Sequence, residues 1–230
     1  MRVDIITLFP ELVTGPMAVS ILGRAQESGL VEINAVNPRD FTTDRHRTVD
    51  DRPYGGGAGM VMKPAPLFAA VESVRTAEST VVLMTPQGQR LEQPCVERLA
   101  LLPHLVLICG HYEGVDERVR QALPDLEISI GDYVLTNGNL AAWVLVDAVV
   151  RLIPGVVGAA ESVQAESFST RNRLDFPQYT RPFEFRGMRV PEVLLGGDHG
   201  AIAAWRRQQQ LTRTLTRRPD LIDNEDGETS

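Results

Sequence analysis

The chain has 230 residues, of which 43% are hydrophobic and 23% charged, an ordinary balance for a globular protein that buries its core without staples. Its net charge of −7 argues against a uniformly basic nucleic-acid binder, and its longest apolar run, residues 140–150, is too short for a membrane span and contains Asp147. Cys95 and Cys109 lack CxxC or Cys/His spacing, which implies free thiols in a reducing cytoplasm rather than a disulfide framework.

The opening MRVDIITLFPE carries acids at positions 4 and 11 and lacks a signal-peptide layout, so a soluble, cytoplasmic protein is expected. Residues 3–9 (VDIITLF), rich in β-branched side chains and stopped by Pro10, predict a buried strand. Residues 17–28 have helical spacing through Met17, Ile21, Leu22 and Ala25, with Gly29 past the end. Residues 31–36 alternate as a second strand. The stretch RDFTTDRHRTVDDRPYGGGAGMVMKP that follows is charged, glycine-rich and aperiodic, and loops of that length are functional or disordered. A helix is expected over 66–77, and a strand over 80–84 ending in Thr85-Pro86-Gln87-Gly88. A helix over 93–102 leads to a strand over 105–109 that ends in Gly110-His111-Tyr112-Glu113-Gly114. A helix over 116–123 precedes a strand over 126–130, then the turns Ile130-Gly131-Asp132-Tyr133 and Asn137-Gly138-Asn139. Residues 140–150 form a segment fit for burial, closed by Arg151 and Pro154-Gly155.

Strands alternating with helices predict an α/β domain with a mostly parallel sheet. Three successive strands end in glycine-bearing turns, and in open α/β sheets ligands gather beyond the carboxyl ends of the strands. For any one turn, glycine simply ends a strand; three in a row, carrying Tyr112, Glu113 and Tyr133, favour a small-molecule site. After Gly158 the texture changes. Residues 159–172 read as a linker, residues 173–218 as a second domain with a helix over 198–218, and residues 219–230 as a disordered acidic tail.

Charge follows this division. Residues 1–170 hold 13 Lys and Arg against 21 acids, whereas residues 171–218 hold ten Arg against four acids. Such a block forms either an anion-binding surface or a salt-bridged helix, and charge alone leaves both open. No GxGxxG follows a strand, and GxxxxGK[ST], GxSxG, HExxH and zinc spacings are absent, which removes dinucleotide dehydrogenases, P-loop NTPases and zinc hydrolases as leading readings. The histidines at 46, 104, 111 and 199 are scattered and form no metal cage.

One resemblance covers nearly the whole chain. IITLFPE, DRHRTVDDRPYGGGAGMVMKP, TPQG, CGHYEGVDERV, SIGDYVL, RLIPGVVG, ESF, YTRP, VPEVLLGGDH, WRRQQ and RRPDL occur in the order and spacing of the bacterial tRNA (guanine-37-N1)-methyltransferases, of the SPOUT class of knotted methyltransferases. The resemblance implies an α/β core with a deep trefoil knot and a small helical C-terminal domain that grips tRNA. It implies S-adenosyl-L-methionine bound in the knot, a homodimer with shared active sites, and guanosine 3′ to the anticodon as target. Magnesium accompanies some members, without a ligand set identifiable in this sequence. By position, Gly110, Ile130, Gly131, Asp132, Tyr133, Val134 and Leu135 would hold the cofactor, with Leu83, Thr85, Pro86, Gly88, Tyr112, Glu113, Gly114 and Gly138 around it.

Arg151 and Glu166 take the two catalytic positions: Glu166 as the base that removes the guanine N1 proton, Arg151 as the cation that stabilises charge on O6. Without the resemblance, Arg151 reads as a helix-terminal charge paired with Asp147 and Glu166 as a solvated linker acid. Three departures stand out: Glu166 where aspartate is usual, Asn137-Gly138-Asn139 where paired glycines and an acid are usual, and His111 where arginine is common. A related knotted enzyme with another target nucleotide, or a non-catalytic RNA-binding relative, are the alternatives.

Overall fold

The computed structural model describes residues 1–158, 166–168 and 173–223, and the chain divides into two compact units, Met1–Gly158 and Ala159–Ser230. The first unit runs β1 (Arg2–Ile6), α1 (Glu11–Thr14), α2 (Ser20–Glu27), β2 (Glu32–Val36), β3 (Asp50–Asp51), β4 (Val61–Met62), α3 (Pro64–Val74), β5 (Ser79–Arg90), α4 (Gln93–Ala100), β6 (His104–Cys109), α5 (Glu117–Ala122), β7 (Leu126–Ser129) and α6 (Asn139–Val150). Its sheet has five strands in the order β2-β1-β6-β5-β7, with every neighbouring pair parallel.

Period-two alternation explains how both faces of that sheet are covered. Val3, Ile5, Val82, Leu105 and Leu107 point into one core with α2, α4 and α6. Ile6, Val81, Leu83, Val106 and Ile108 point into the other, with α3 and α5. Each fully buried Leu or Ile stabilises the fold by roughly 1.5–3 kcal/mol. Asp4 is also buried, and its carboxylate is matched by His104 Nε2 at 2.7 Å and Arg2 Nε at 2.8 Å.

Several boundaries differ from the sequence expectation. Residues 17–28 are not one helix: a 3-10 turn over Pro16–Ala18 precedes extended Val19, Ser20 has φ +58°, and α2 begins only there. β2 is an edge strand without clean alternation. α3 starts at Pro64 and ends at Val74, earlier at both ends than expected, because Pro at the first turn is compatible with a helix start. The aperiodic stretch after Pro38 is ordered around the β3–β4 ladder, which Met62 ties to Gly114 through a 2.9 Å N–H···O bond.

The largest correction concerns β5. It does not end at Met84; both Met84 and Gln89 pair with Ile128, so residues 85–88 are extruded from the ladder and pairing resumes to Arg90. At the crossing a Cβ on Gly88 would lie 2.4 Å from the Glu127 carbonyl carbon, so only glycine lets the two backbones meet. Beyond β7 the chain returns to the end of β6, where Gly138 N–H donates to Gly110 C=O at 2.9 Å. There a Cβ on Gly138 would sit 2.9 Å from Cys109 Cα.

In the second unit, the helix His199–Arg217 is capped by Asp198, whose carboxylate accepts from Ala201 N–H at 3.0 Å. Thr214 is fully buried and accepts the Leu174 N–H at 3.0 Å, strapping the extended segment that starts at Arg173 along this helix. A two-strand hairpin, Glu184–Phe185 with Met188–Arg189, completes the unit. Of the linker expected over 159–172, only 166–168 are described; of the acidic tail, Asp220–Asp223 form a helical turn and 224–230 lie outside the described residues. Among the described residues no helix is long and apolar enough to cross a membrane.

Candidate cofactor cleft and catalytic positions

The excursion in β5 and the carboxyl ends of β6 and β7 open into one cavity of about 480 Å³, within the size range of small-molecule sites. The turns that sequence reading singled out form its walls. Leu83, Thr85 and Pro86 come from the excursion in β5; Gly110, Tyr112, Glu113 and Gly114 from the turn after β6. Ile130, Gly131, Tyr133, Val134, Leu135 and Gly138 come from the segment between β7 and α6. Elements distant in sequence thus meet because parallel strands place all their carboxyl ends on one edge.

Two expected cofactor residues are placed differently. Gly88 is not on the cavity wall; it lies under the Glu127–Ile128 backbone and serves the crossing. Asp132 is exposed at the tip of the Gly131 turn, and the wall on either side comes from Gly131 and Tyr133. The cavity also takes in Gln87, His111 and Asn137 from those same turns, and residues that sequence reading did not assign to it, among them Arg120, Ser129 and Ala141. Arg120 was findable, since it follows Glu117 at helical spacing on the element after the glycine turn.

The walls suit a ligand with apolar and polar parts. Gly110 and Gly114 leave their Cβ positions open, with nothing nearer than 3.8 Å at Gly110 and nothing within 4 Å at Gly114, so the backbone can approach a ligand closely. Tyr112 holds a left-handed backbone, φ +59°, that turns its half-exposed ring to the opening, and the Tyr133 ring covers Gly131. Asn137, at the turn where paired glycines and an acid are usual, has a defined local task. Its Oδ1 accepts from both the backbone and the side-chain nitrogen of Asn139 at 3.0 Å, which starts α6.

Electrostatics separate the titratable groups of the cleft. Burial pushes the Cys109 thiol up to about 12, so it is not a nucleophile. His111 packs edge-on against Phe9 and Tyr112, and burial draws its imidazole below the usual histidine range; the Asp50 carboxylate opposes that shift and the Arg39 cation adds to it. Arg120 donates from Nε to Glu127 Oε1 at 2.9 Å, and its terminal nitrogens reach Glu127 and Gln87. Among the described residues no group of three or more His, Cys, Asp or Glu is arranged to hold a metal ion.

Arg151 caps α6, its N–H donating to Asp147 C=O at 3.2 Å, and its side chain is half-buried, outside the wall of the cavity. Glu166 belongs to the second unit and is half-buried. Beside it, Ser167 Oγ accepts from Asp175 N–H at 2.9 Å and Phe168 N–H donates to Arg173 C=O at 2.8 Å, so the residues after Glu166 are pinned to the segment that begins the second unit.

Comparison with known proteins places this geometry. A protein from Gloeobacter violaceus named tRNA (guanine-N(1)-)-methyltransferase is 59% identical over 98% of this chain and 100% of its own length. Similarly named proteins are 59% identical in Pelotomaculum thermopropionicum, over 96% of this chain and 90% of theirs, and 56% in Trichodesmium erythraeum, over 99% and 100%. The family model described as tRNA (Guanine-1)-methyltransferase TrmD matches residues 1–224. The chain therefore belongs to the TrmD family of tRNA (guanine-1)-methyltransferases, whose fold is the knotted SPOUT methyltransferase fold.

Proposed function

We propose that the chain transfers the methyl group of S-adenosyl-L-methionine to N1 of guanosine 37, the nucleotide 3′ to the anticodon, in tRNA. The observation that carries this reading is the convergence of the three glycine-bearing turns on one cleft, at the excursion in β5 and the carboxyl ends of β6 and β7. Gly110, Gly114 and the segment from Ile130 to Leu135 would hold the cofactor through backbone groups, with Tyr112, Tyr133 and Leu83 packing on its apolar parts. When bound, S-adenosylmethionine supplies a sulfonium methyl that is already activated.

The protein's own tasks are then placement and proton removal. Guanine N1 carries a proton at neutral pH, and its lone pair becomes available only when that proton leaves. Glu166 accepts the proton and so leaves on N1 the electron pair for the new N–CH₃ bond; a bound cofactor would supply the methyl and keep the electrons of the broken S–CH₃ bond. Arg151 stabilises the negative charge that develops on O6, an effect worth a few kcal/mol. The guanine is presented unstacked, which costs less in an anticodon loop than in a duplex.

The enzyme acts as a cytoplasmic homodimer with shared active sites. Support for pairing comes from α6, where Leu140 and Val144 are 45% and 48% exposed one turn apart, beside Trp143, whose buried Nε1 has no hydrogen-bond partner among the described residues. Both cysteines are free and buried, as suits a reducing compartment. The test is methyl transfer from labelled S-adenosylmethionine to unmodified tRNA transcripts with and without guanosine 37. Labelling of the guanosine-37 transcript alone is expected; equal labelling of both would overturn the assignment in favour of another target nucleotide.

A further inference from the structure

The excursion that forms one wall of the cleft has little to hold it. Residues 85–88 have left the β5–β7 ladder, since Met84 and Gln89 share Ile128 as partner. Inside the loop a single contact, Gln87 N–H to Thr85 Oγ1 at 3.3 Å, stiffens the turn. Pro86 and Gln87 are exposed. Without a hold from outside, such a loop would have to be ordered on binding, at a free-energy cost that lowers affinity.

One side chain from another element reaches it. Arg120, on α5, forms a paired contact with the Glu127 carboxylate of β7, Nε to Oε1 at 2.9 Å and the second nitrogen to Oε2. Its remaining terminal nitrogen donates to Gln87 Oε1. The guanidinium is planar and its fork is fixed, so anchoring two of its nitrogens on Glu127 also fixes the direction of the third donor. Arg120 and Glu127 are both largely shielded, with side chains 21% and 27% exposed, so the pair is less screened than a surface ion pair. Neighbouring Gly88 crosses the same Glu127 backbone, so the loop is pinned at two successive residues to one point of β7.

We propose that Arg120 is a positioning residue for the cofactor: through Gln87 and Glu127 it holds the Thr85–Gly88 wall in the binding conformation, and so sets affinity for S-adenosylmethionine rather than the rate of methyl transfer. The proposal rests on the reading of the cleft as the cofactor site. Lysine cannot replace it, because a single ammonium does not span Glu127 and Gln87 in one plane.

The experiment measures S-adenosylmethionine binding by calorimetry and steady-state kinetics on tRNA for Arg120→Met, Arg120→Lys, Gln87→Ala and the Arg120→Met/Gln87→Ala double variant. Arg120→Met is expected to raise the cofactor Kd and KM about tenfold, Gln87→Ala about three- to fivefold, and Arg120→Lys close to the methionine variant. KM for tRNA stays put and kcat falls less than threefold. The double variant should bind no worse than Arg120→Met alone, since both substitutions remove one contact. Full additivity, or a weakened Arg120→Met beside an unaffected Gln87→Ala, overturns the proposal in favour of direct contact between Arg120 and the cofactor. Gln87→Ala keeps the test valid even if Arg120→Met fails to fold. Gly110→Leu separates the two readings, because a side chain there meets no close atom yet enters the cleft. If Gly110→Leu binds the cofactor as wild type does, the cleft assignment has failed. If it abolishes binding while Arg120→Met and Gln87→Ala bind normally, only the positioning role has.

Discussion

Glu166 carries one methylene more than the aspartate usual at its place, so its carboxylate reaches further from the backbone while keeping the same acid–base chemistry. The adjoining backbone is tied by Ser167 to Asp175 and by Phe168 to Arg173, which gives the longer side chain a fixed root. Glu166→Gln keeps shape and loses the base, and is expected to lower kcat by ~10²–10⁴ while the cofactor Kd is unchanged. Arg151→Ala should cost ~10²–10³ in kcat, with dimerisation retained in gel filtration; full activity in either variant removes that residue from the chemistry. Both were assigned only through the resemblance of the motifs around them. Arg151 alone looks like a helix-end charge beside Asp147, and its actual place at the cap of α6 fits that bland reading as well. Two residues assigned by position to the cofactor lie off the cavity wall: Asp132 is exposed at a turn tip, and Gly88 sits at the crossing of β5 and β7.

Elements whose apolar pattern fits their surroundings were readable: β6, buried along its whole length, and α6, which ends at Val150 with Arg151 as its cap, stand within a residue of expectation. Elements defined by pairing partners far along the chain were not. Nothing in TPQGQR announces that β5 resumes after its excursion, because the partner that pulls Gln89 and Arg90 back is β7, some forty residues later. The break before α2 was hidden for a similar reason: Met17 does occupy a core position, but from a 3-10 turn rather than a helix. Gly88 is the single residue on which the crossing depends. Its missing Cβ would meet the Glu127 carbonyl carbon at 2.4 Å and Ile128 N at 2.4 Å, both backbone atoms that cannot rotate away. Gly88→Ala is therefore expected to destabilise by at least ~1–3 kcal/mol, the usual cost of overpacking, and to weaken cofactor binding with it. Gly158→Ala, where a Cβ meets nothing within 4 Å, serves as the control and should stay within ~0.5 kcal/mol. Urea unfolding of both variants checks the pair; equal midpoints would mean that the β5–β7 contact is not tight.

At the scale of the molecule, a chain of net charge −7 belongs to a family that acts on a polyanion, and its charge is unevenly spread along the sequence. Residues 1–170 carry an excess of acids, whereas residues 171–218 hold ten Arg against four acids, with Arg206, Arg207, Arg213 and Arg217 on the helix His199–Arg217. Sequence reading left two roles open for that block, and the structure gives partners to some of its arginines. Arg218 is paired with Asp220 and Arg189 with Glu184, and Arg206 lies over the Phe176 ring at 4.6 Å, so these three also hold the unit together. Arg207 and Arg217 are exposed on the helix and Arg213 is half-buried on it; they are the better candidates for phosphate contacts. Each phosphate neutralised releases condensed counterions, contributing about −0.7 to −0.9 to the slope of log K against log salt. Replacing Arg207, Arg213 and Arg217 together by glutamine should therefore flatten that slope by about 2–3 and weaken tRNA binding most at low salt, with the cofactor Kd unchanged. Replacing Arg206 should instead lower the melting temperature, because the ring of Phe176 loses its cover. Filter binding of tRNA between low and physiological salt distinguishes the two groups. An unchanged slope in the triple variant would place the RNA surface elsewhere on the enzyme, and a triple variant that melts early would return those arginines to the salt-bridged helix that charge alone could not exclude.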